Sequence, residues 1–318
     1  PPGRAPAPAP VTLLDPAVLA RIGSLELIAR HVVEGFLGGL HRAPAFGAST
    51  DFAEHRVYLP GDDPRRIDWR LFARSDRLHV REYEADTNTS VAVLLDVSRS
   101  MRFGGAPAGA TAAGAAGRGR LTKLDYARVL AASLLWLARR QRDRVGLVTF
   151  DSAIRDFVPP SGKHLPMALH ALERAAPGGA GELAGPLRAA AEHFRRRGIV
   201  VVVGDLYVEP AAAIDAVLQL RGRGNELVLL HVLDPAERDF PFAETTGLED
   251  LESGERVPVI PRAMAAEYRD MVAAHVDALG RLAADRGVDY VLCDTGTPVD
   301  AALLRLLAAR QRLERGGR

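Results

Sequence analysis

Cysteine is almost missing from this 318-residue chain, with Cys293 the single example. An intramolecular disulfide is therefore impossible, and a cysteine-built zinc or redox site is argued against; a reducing cytosol is the compartment that fits. Lysine is nearly as scarce, since only Lys123 and Lys163 interrupt the arginines among 41 basic residues. That skew is what a GC-rich genome produces. Aromatics make up 6% of the chain, and the formal net charge is +1, so no overall field draws it to nucleic acid or an anionic membrane. Long apolar runs are also lacking. The strongest, residues 131–138, is bounded by Arg128 and Arg139 and falls well short of the roughly 20 residues a membrane span requires. The opening Pro1-Pro2-Gly3-Arg4-Ala5-Pro6 has no apolar core of a secretory signal and reads as a Pro/Ala-rich tail over residues 1–12.

What is present is the balance of a soluble globular protein, 47% hydrophobic and 25% charged. Asp15-Pro16 supplies a cap and first-turn residue for a helix, and Leu19, Ile22, Leu25, Ile28 and Val32 give it one apolar face to about Phe36. A mixed segment follows to residue 88, with a turn, a short helix begun by Asp63-Pro64 and a strand near 78–83. From Ser90 the pattern changes to short continuous apolar runs separated by amphipathic stretches, the mark of a parallel sheet covered on both faces.

The strands are expected at 91–95, 145–150, 154–158, 199–203, 227–233 and 290–292. Three residues separate the second from the third, too few for a parallel crossover, so the third is expected as an antiparallel edge strand. Helices are expected at 124–140, 165–175, 184–196, 211–221, 263–286 and 299–309. The fold class is thus α/β, a doubly wound, mostly parallel sheet over 89–309, preceded by an N-terminal α+β extension over 13–88 and followed by a short tail, 310–318. Two insertions interrupt it: Gly/Ala low complexity over 104–119, expected to be disordered, and an irregular excursion with a small hairpin over 235–261.

The residues with chemistry stand where strands end. Asp96, Ser98 and Ser100 alternate just past the first core strand, and Gly204-Asp205 closes the fourth. In a doubly wound sheet these two strands are neighbours, and the crevice between their carboxyl ends is where ligands bind. Two carboxylates and two hydroxyls without His or Cys form an all-oxygen donor set suited to Mg²⁺, or Mn²⁺ in its place. So few protein ligands leave coordination positions that a carboxylate from another protein can fill. Each residue taken alone is also a common cap for backbone groups at a strand end.

Leu94-Leu95-Asp96-Val97-Ser98-Arg99-Ser100-Met101 resembles the metal-ion-dependent adhesion motif, Asp-x-Ser-x-Ser, of von Willebrand factor type A domains. The stretch from Phe52 through Leu59-Pro60-Gly61-Asp62-Asp63-Pro64 to Trp69, with Arg81-Glu82-Tyr83-Glu84, resembles the hallmark of the bacterial and archaeal family known as domain of unknown function 58. The likeness continues through Lys123-Leu124-Asp125-Tyr126-Ala127 and Asp143 to Phe150. It implies a cytoplasmic or membrane-associated accessory protein that binds protein partners and acts beside a MoxR-type AAA ATPase; many relatives add N-terminal membrane helices, which are not seen here. It also implies Asp96, Ser98, Ser100 and Asp205 as metal ligands. One departure stands out: where the family places a Thr in a Gly-Thr-Asp-Leu pattern, this chain reads Ala180-Gly181-Glu182-Leu183, so that ligand is lost and Glu182 is the conjectured substitute. In the upstream motif, Trp69 and Phe72 are expected to pack.

Two rival functions remain. A Mg²⁺-dependent phosphoryl-transfer or hydrolytic enzyme would also use a carboxylate-held ion at this place. Its usual companions are absent, however: Ser161-Gly162-Lys163-His164 has Phe157 where a phosphate loop needs its first Gly, and no Gly-x-Ser-x-Gly elbow occurs. The other rival is a scaffold of the same fold without metal. The expectation is a non-catalytic, metal-dependent protein-binding module in the cytoplasm.

Overall fold

The apolar runs after Ser90 form the sheet the pattern requires. The structure is a computed structural model that describes residues 24–39, 51–57, 69–75, 77–84, 89–104, 121–194, 196–222, 224–242, 246–251, 254–259 and 261–316. In chain order its elements are α1 (Leu25–Gly39), β1 (Asp51–Val57), α2 (Trp69–Ser75), β2 (His79–Glu84), β3 (Ser90–Asp96), α3 (Lys123–Arg140), β4 (Arg144–Phe150), β5 (Ile154–Ser161), α4 (Leu165–Arg174) and α5 (Ala184–Ala191). They continue as β6 (Gly198–Gly204), α6 (Pro210–Leu218), β7 (Glu226–Leu233), α7 (Pro235–Asp239), β8 (Thr246–Glu249), β9 (Arg256–Val259), α8 (Pro261–Asp285), β10 (Asp289–Asp294) and α9 (Val299–Gly316).

The main sheet runs β10-β7-β6-β3-β4-β5. Its pairs are parallel except β4 with β5, the expected hairpin. Taken in their own order, the strands follow the doubly wound sequence 3-2-1-4-5-6, whose reversal falls between β3 and β6. Every residue of β3 is buried, and period-two alternation sends them to opposite faces. Val91, Val93 and Leu95 join the core under α1, α3, α4 and α9, whereas Ala92 and Leu94 join the core under α5, α6 and α8. This is an α/β/α sandwich with an antiparallel edge, as the sequence pattern predicts.

The central helix α3 is buried on most of its circumference. Thr122 caps it by accepting the Asp125 N–H at 3.1 Å, Asp125 sits in its first turn, and Arg139 and Arg140 lie in its last, where each charge suits the helix dipole. The cap places Lys123 at the sheet's carboxyl end. Cys293 lies buried in the core and unpaired, and burial pushes its thiol up to about 12.

Several boundaries differ from the expectation. β1 was not expected; it pairs antiparallel with β2 as the two-stranded sheet of the extension. α5 stops at Ala191 rather than 196, and α9 continues to Gly316 through residues expected as a tail. The excursion after β7 holds the hairpin β8–β9, but it begins with a capped helix: in α7 the Asp234 side chain accepts the Ala236 N–H, and Glu237 accepts the Asp234 N–H. Trp69 packs edge-on against Phe72, yet it is 60% exposed, so it is not a core residue. The tail at 1–12, the helix starts at Asp15-Pro16 and Asp63-Pro64 and the Gly/Ala stretch beyond Gly104 lie outside the described residues. Among the described residues, no helix is long and apolar enough to cross a membrane.

Candidate functional site

Beyond Asp96 the chain leaves the sheet by way of Val97, whose N–H donates to the Phe150 carbonyl at 2.7 Å. Ser98 then precedes a single 3₁₀ turn, Arg99–Arg102. Val97 and Met101 are buried in the core; burying each contributes roughly 2 kcal/mol and fixes how the loop is rotated. Asp96, Ser98 and Ser100 thereby share one side, lining a common cleft. The Ser98 N–H donates to Asp96 Oδ1 at 2.8 Å, and the Ser98 and Ser100 hydroxyls lie 3.1 Å apart.

The neighbouring strand completes the crevice. Gly204 is required here because a Cβ on it would lie 2.9 Å from the Asp96 Cβ and 3.1 Å from Asp96 Oδ2. Without that atom, the Asp96 side chain lies over Gly204 at the end of β6. Asp96, Ser98, Ser100 and Asp205, expected from sequence to meet, line one cleft of about 60 Å³ together with Gly181, Glu182 and Tyr207.

The family described as "Protein of unknown function DUF58" matches residues 54–278. The chain belongs to this family. Uncharacterized proteins of Mycobacterium tuberculosis and Mycobacterium bovis are each 29% identical to it over 309 residues, covering 94% of this chain and 91% of the relative. Among solved structures, BatB of Bacteroides thetaiotaomicron is similar at 17% identity and a TM-score of 0.43, over 69% of this chain and 99% of that one. The SpRpn10 VWA domain is similar at 11% identity and a TM-score of 0.37, over 68% and 93%. The vWF domain of the pili tip protein Mfa5 of Porphyromonas gingivalis is similar at 11% and 0.33, over 71% and 95%.

In this DUF58 member the cleft has neighbours that the motif alone did not indicate. Lys123 is fully buried, and its ammonium donates to Asp205 Oδ2 at 2.8 Å and to Glu237 Oε1 at 2.6 Å. The ring of Tyr207 lies 4.6 Å from Nζ. Burial works against the charged lysine, but the Asp205 and Glu237 carboxylates outweigh it and hold the Lys123 pKa above its ordinary value. Asp205 is therefore an ion-pair partner as well as a wall of the cleft. Glu182, the conjectured substitute ligand, lines the cleft, and its Oε1 accepts the Gly185 N–H at 2.7 Å, at the start of α5.

A third aspartate was missed. Asp151, just past β4, is fully buried and accepts from Arg155 Nε at 2.7 Å, the Gly179 N–H at 2.7 Å and the Ala153 N–H at 3.2 Å. Burial would raise its carboxyl, but these donors prevail and hold it at about 2. It anchors the loop before α5, which also bonds to the Asp96 loop: the Gly178 N–H donates to the Val97 carbonyl at 2.7 Å, and the Arg99 N–H to the Gly179 carbonyl at 3.1 Å. A carboxylate one residue beyond a core strand was the available signal for Asp151. For Lys123 it was one of only two lysines in a chain whose other basic residues are arginine.

The donor set admits a hard cation on its chemistry. Among the described residues, no three His, Cys, Asp or Glu side chains gather as a metal cluster; the cleft offers carboxylates and hydroxyls instead. In an octahedral Mg²⁺ shell with bonds of about 2.1 Å, adjacent oxygens stand about 3.0 Å apart. The Ser98 and Ser100 hydroxyls, 3.1 Å apart, match one such edge.

Proposed function

We propose that this chain is a non-catalytic, divalent-metal-dependent protein-binding accessory protein of the cytoplasm, working with a MoxR-type AAA ATPase in protein assembly or maturation. The observation that carries the metal-dependent part is the convergence of Asp96, Ser98, Ser100 and Asp205 on one cleft at the reversal point of the sheet. The side chains of Asp96, Ser98 and Ser100 would hold Mg²⁺ or Mn²⁺, with Asp205 across the crevice. The position facing out of the cleft would accept a carboxylate from the partner. The ATPase and the compartment rest on the family resemblance and on the scarcity of cysteine, not on the cleft.

Titration of the protein with Mg²⁺ by calorimetry tests this reading. A saturable heat that disappears in Asp96→Ala is expected; no response in the parent protein rejects the metal assignment. Capture of the ATPase should be lost on chelation, and capture indifferent to chelator would reject metal dependence. A second reading, the same fold as a metal-free scaffold, draws on one observation: Asp205 already faces a cation, Lys123.

A further inference from the structure

The enclosure of Lys123 gives that ion pair a consequence for the cleft. Nζ meets two carboxylates and lies over the Tyr207 ring, with the Phe103 ring 5.9 Å away. No part of the side chain is exposed. A compact ammonium fits such an enclosure, whereas a planar guanidinium with five donors does not, and the residue is lysine in a chain whose basic positions are otherwise arginine except at Lys163. Glu237 does not reach Lys123 by chance. Its other oxygen accepts the Asp234 N–H at 2.9 Å, Asp234 accepts the Thr295 hydroxyl at 2.7 Å, and Arg238 bonds Asp294 at 2.7 Å, so the carboxylate is held in place from the ends of β7 and β10.

We propose that Lys123 is a positioning residue that acts through Asp205 as the resident cation of the cleft, holding its affinity for a dication down. With Lys123 in place, part of the negative charge of the Asp96 and Asp205 pair is already offset, so a dication seated there is neutralised less fully than by the two aspartates alone, and an incoming carboxylate is the better accommodated. Without Lys123, the two aspartates would neutralise the ion by themselves and favour that carboxylate less. Glu237 is the counterweight: by sharing the ammonium it returns part of Asp205's charge to the cleft. The partner half of this inference rests on the metal-binding reading above; the charge balance does not.

The test is a calorimetric Mg²⁺ titration of the full chain as the parent, as Lys123→Met and as Glu237→Gln, with the fold of each checked by circular dichroism and melting temperature. Removing a positive charge next to the cleft should tighten Mg²⁺ binding by about tenfold or more, and removing the negative counterweight should weaken it about threefold. Shifts of opposite sign are the signature, because a merely structural lysine would weaken binding in both variants. If Lys123→Met does not fold, Lys123→Gln takes its place: tighter Mg²⁺ binding supports the inference, and unchanged or weaker binding overturns it, as does unchanged or tighter binding in Glu237→Gln. Binding that is absent in the parent but present in Lys123→Met sustains the inference and rejects Mg²⁺ dependence of the native protein. Equal binding in parent and Lys123→Met overturns the inference and leaves the adhesion reading standing. No binding in any of the three overturns both.

Discussion

Two aspartates stand one residue past the strands that flank β3, Asp151 after β4 and Asp205 after β6, and their surroundings are opposite in kind. Asp151 is surrounded by donors fixed in the backbone, the N–H groups of Ala153 and Gly179, with the half-exposed Arg155 beside them. Asp205 meets one buried point charge on Oδ2 and forms part of the cleft wall. Equivalent positions on a sheet therefore do not have equivalent chemistry. A carboxylate saturated by backbone donors becomes a brace, whereas one balanced by a single side-chain charge stays available to a ligand that competes for it.

Acid should separate the two sides most strongly. His231 on β7 pairs with Gly204 next to Asp205 and is buried neutral, and burial lowers its pKa from 6.5 to about 3. Its folded value lies below its unfolded one, so the unfolded chain takes the proton first. Stability is fully present above about pH 6.5 and falls by about 1.4 kcal/mol per pH unit below it, roughly 3 kcal/mol by pH 4. Asp151, also lowered, should contribute nothing to that slope until about pH 4 and then lose about 2 kcal/mol toward pH 2. Denaturant melts across pH check this, with His231→Phe expected to flatten the upper window alone; a parent slope confined below pH 4 would break the contrast.

Asp151→Ala should cost about 3 kcal/mol in the same melts, because it strands the N–H groups of Ala153 and Gly179 and releases the loop that holds Val97 and Arg99. Hydrogen exchange should rise at Gly178 and Gly179. Protection unchanged at those amides would show that Asp151 is not the brace. A smaller cost in stability, about 1–2 kcal/mol, is expected from Gly204→Ala, whose Cβ meets Asp96. Its larger effect should be functional, a drop of about tenfold or more in Mg²⁺ affinity. Affinity retained in that variant would show that Asp96 need not lie over the end of β6.

Much of the fold was legible because its signals are local. Seven buried residues in β3 and the three-residue link from β4 to β5 leave few alternatives to a mostly parallel sheet with a hairpin edge. β1 was not legible, since Asp51, Glu54, His55 and Arg56 give it no period-two apolar pattern. The end of α5 was equally obscure, because Glu192, His193 and the arginines that follow continue a helical composition while the backbone has already turned.

In the site, Asp96, Ser98, Ser100 and Asp205 were predictable from strand ends and strand order alone: alternation past a strand places side chains on one side, and the doubly wound order makes β3 and β6 neighbours. The sequence by itself therefore determined the sheet, its reversal point and the oxygen donors gathered there. Only the tertiary structure decided what charge those donors face. Lys123 and Asp205 lie 82 residues apart, Lys123 and Glu237 114, and no local pattern encodes a contact between helix α3, the end of β6 and a capped turn after β7. Long-range Coulomb pairing depends on distances that exist only once the chain has packed.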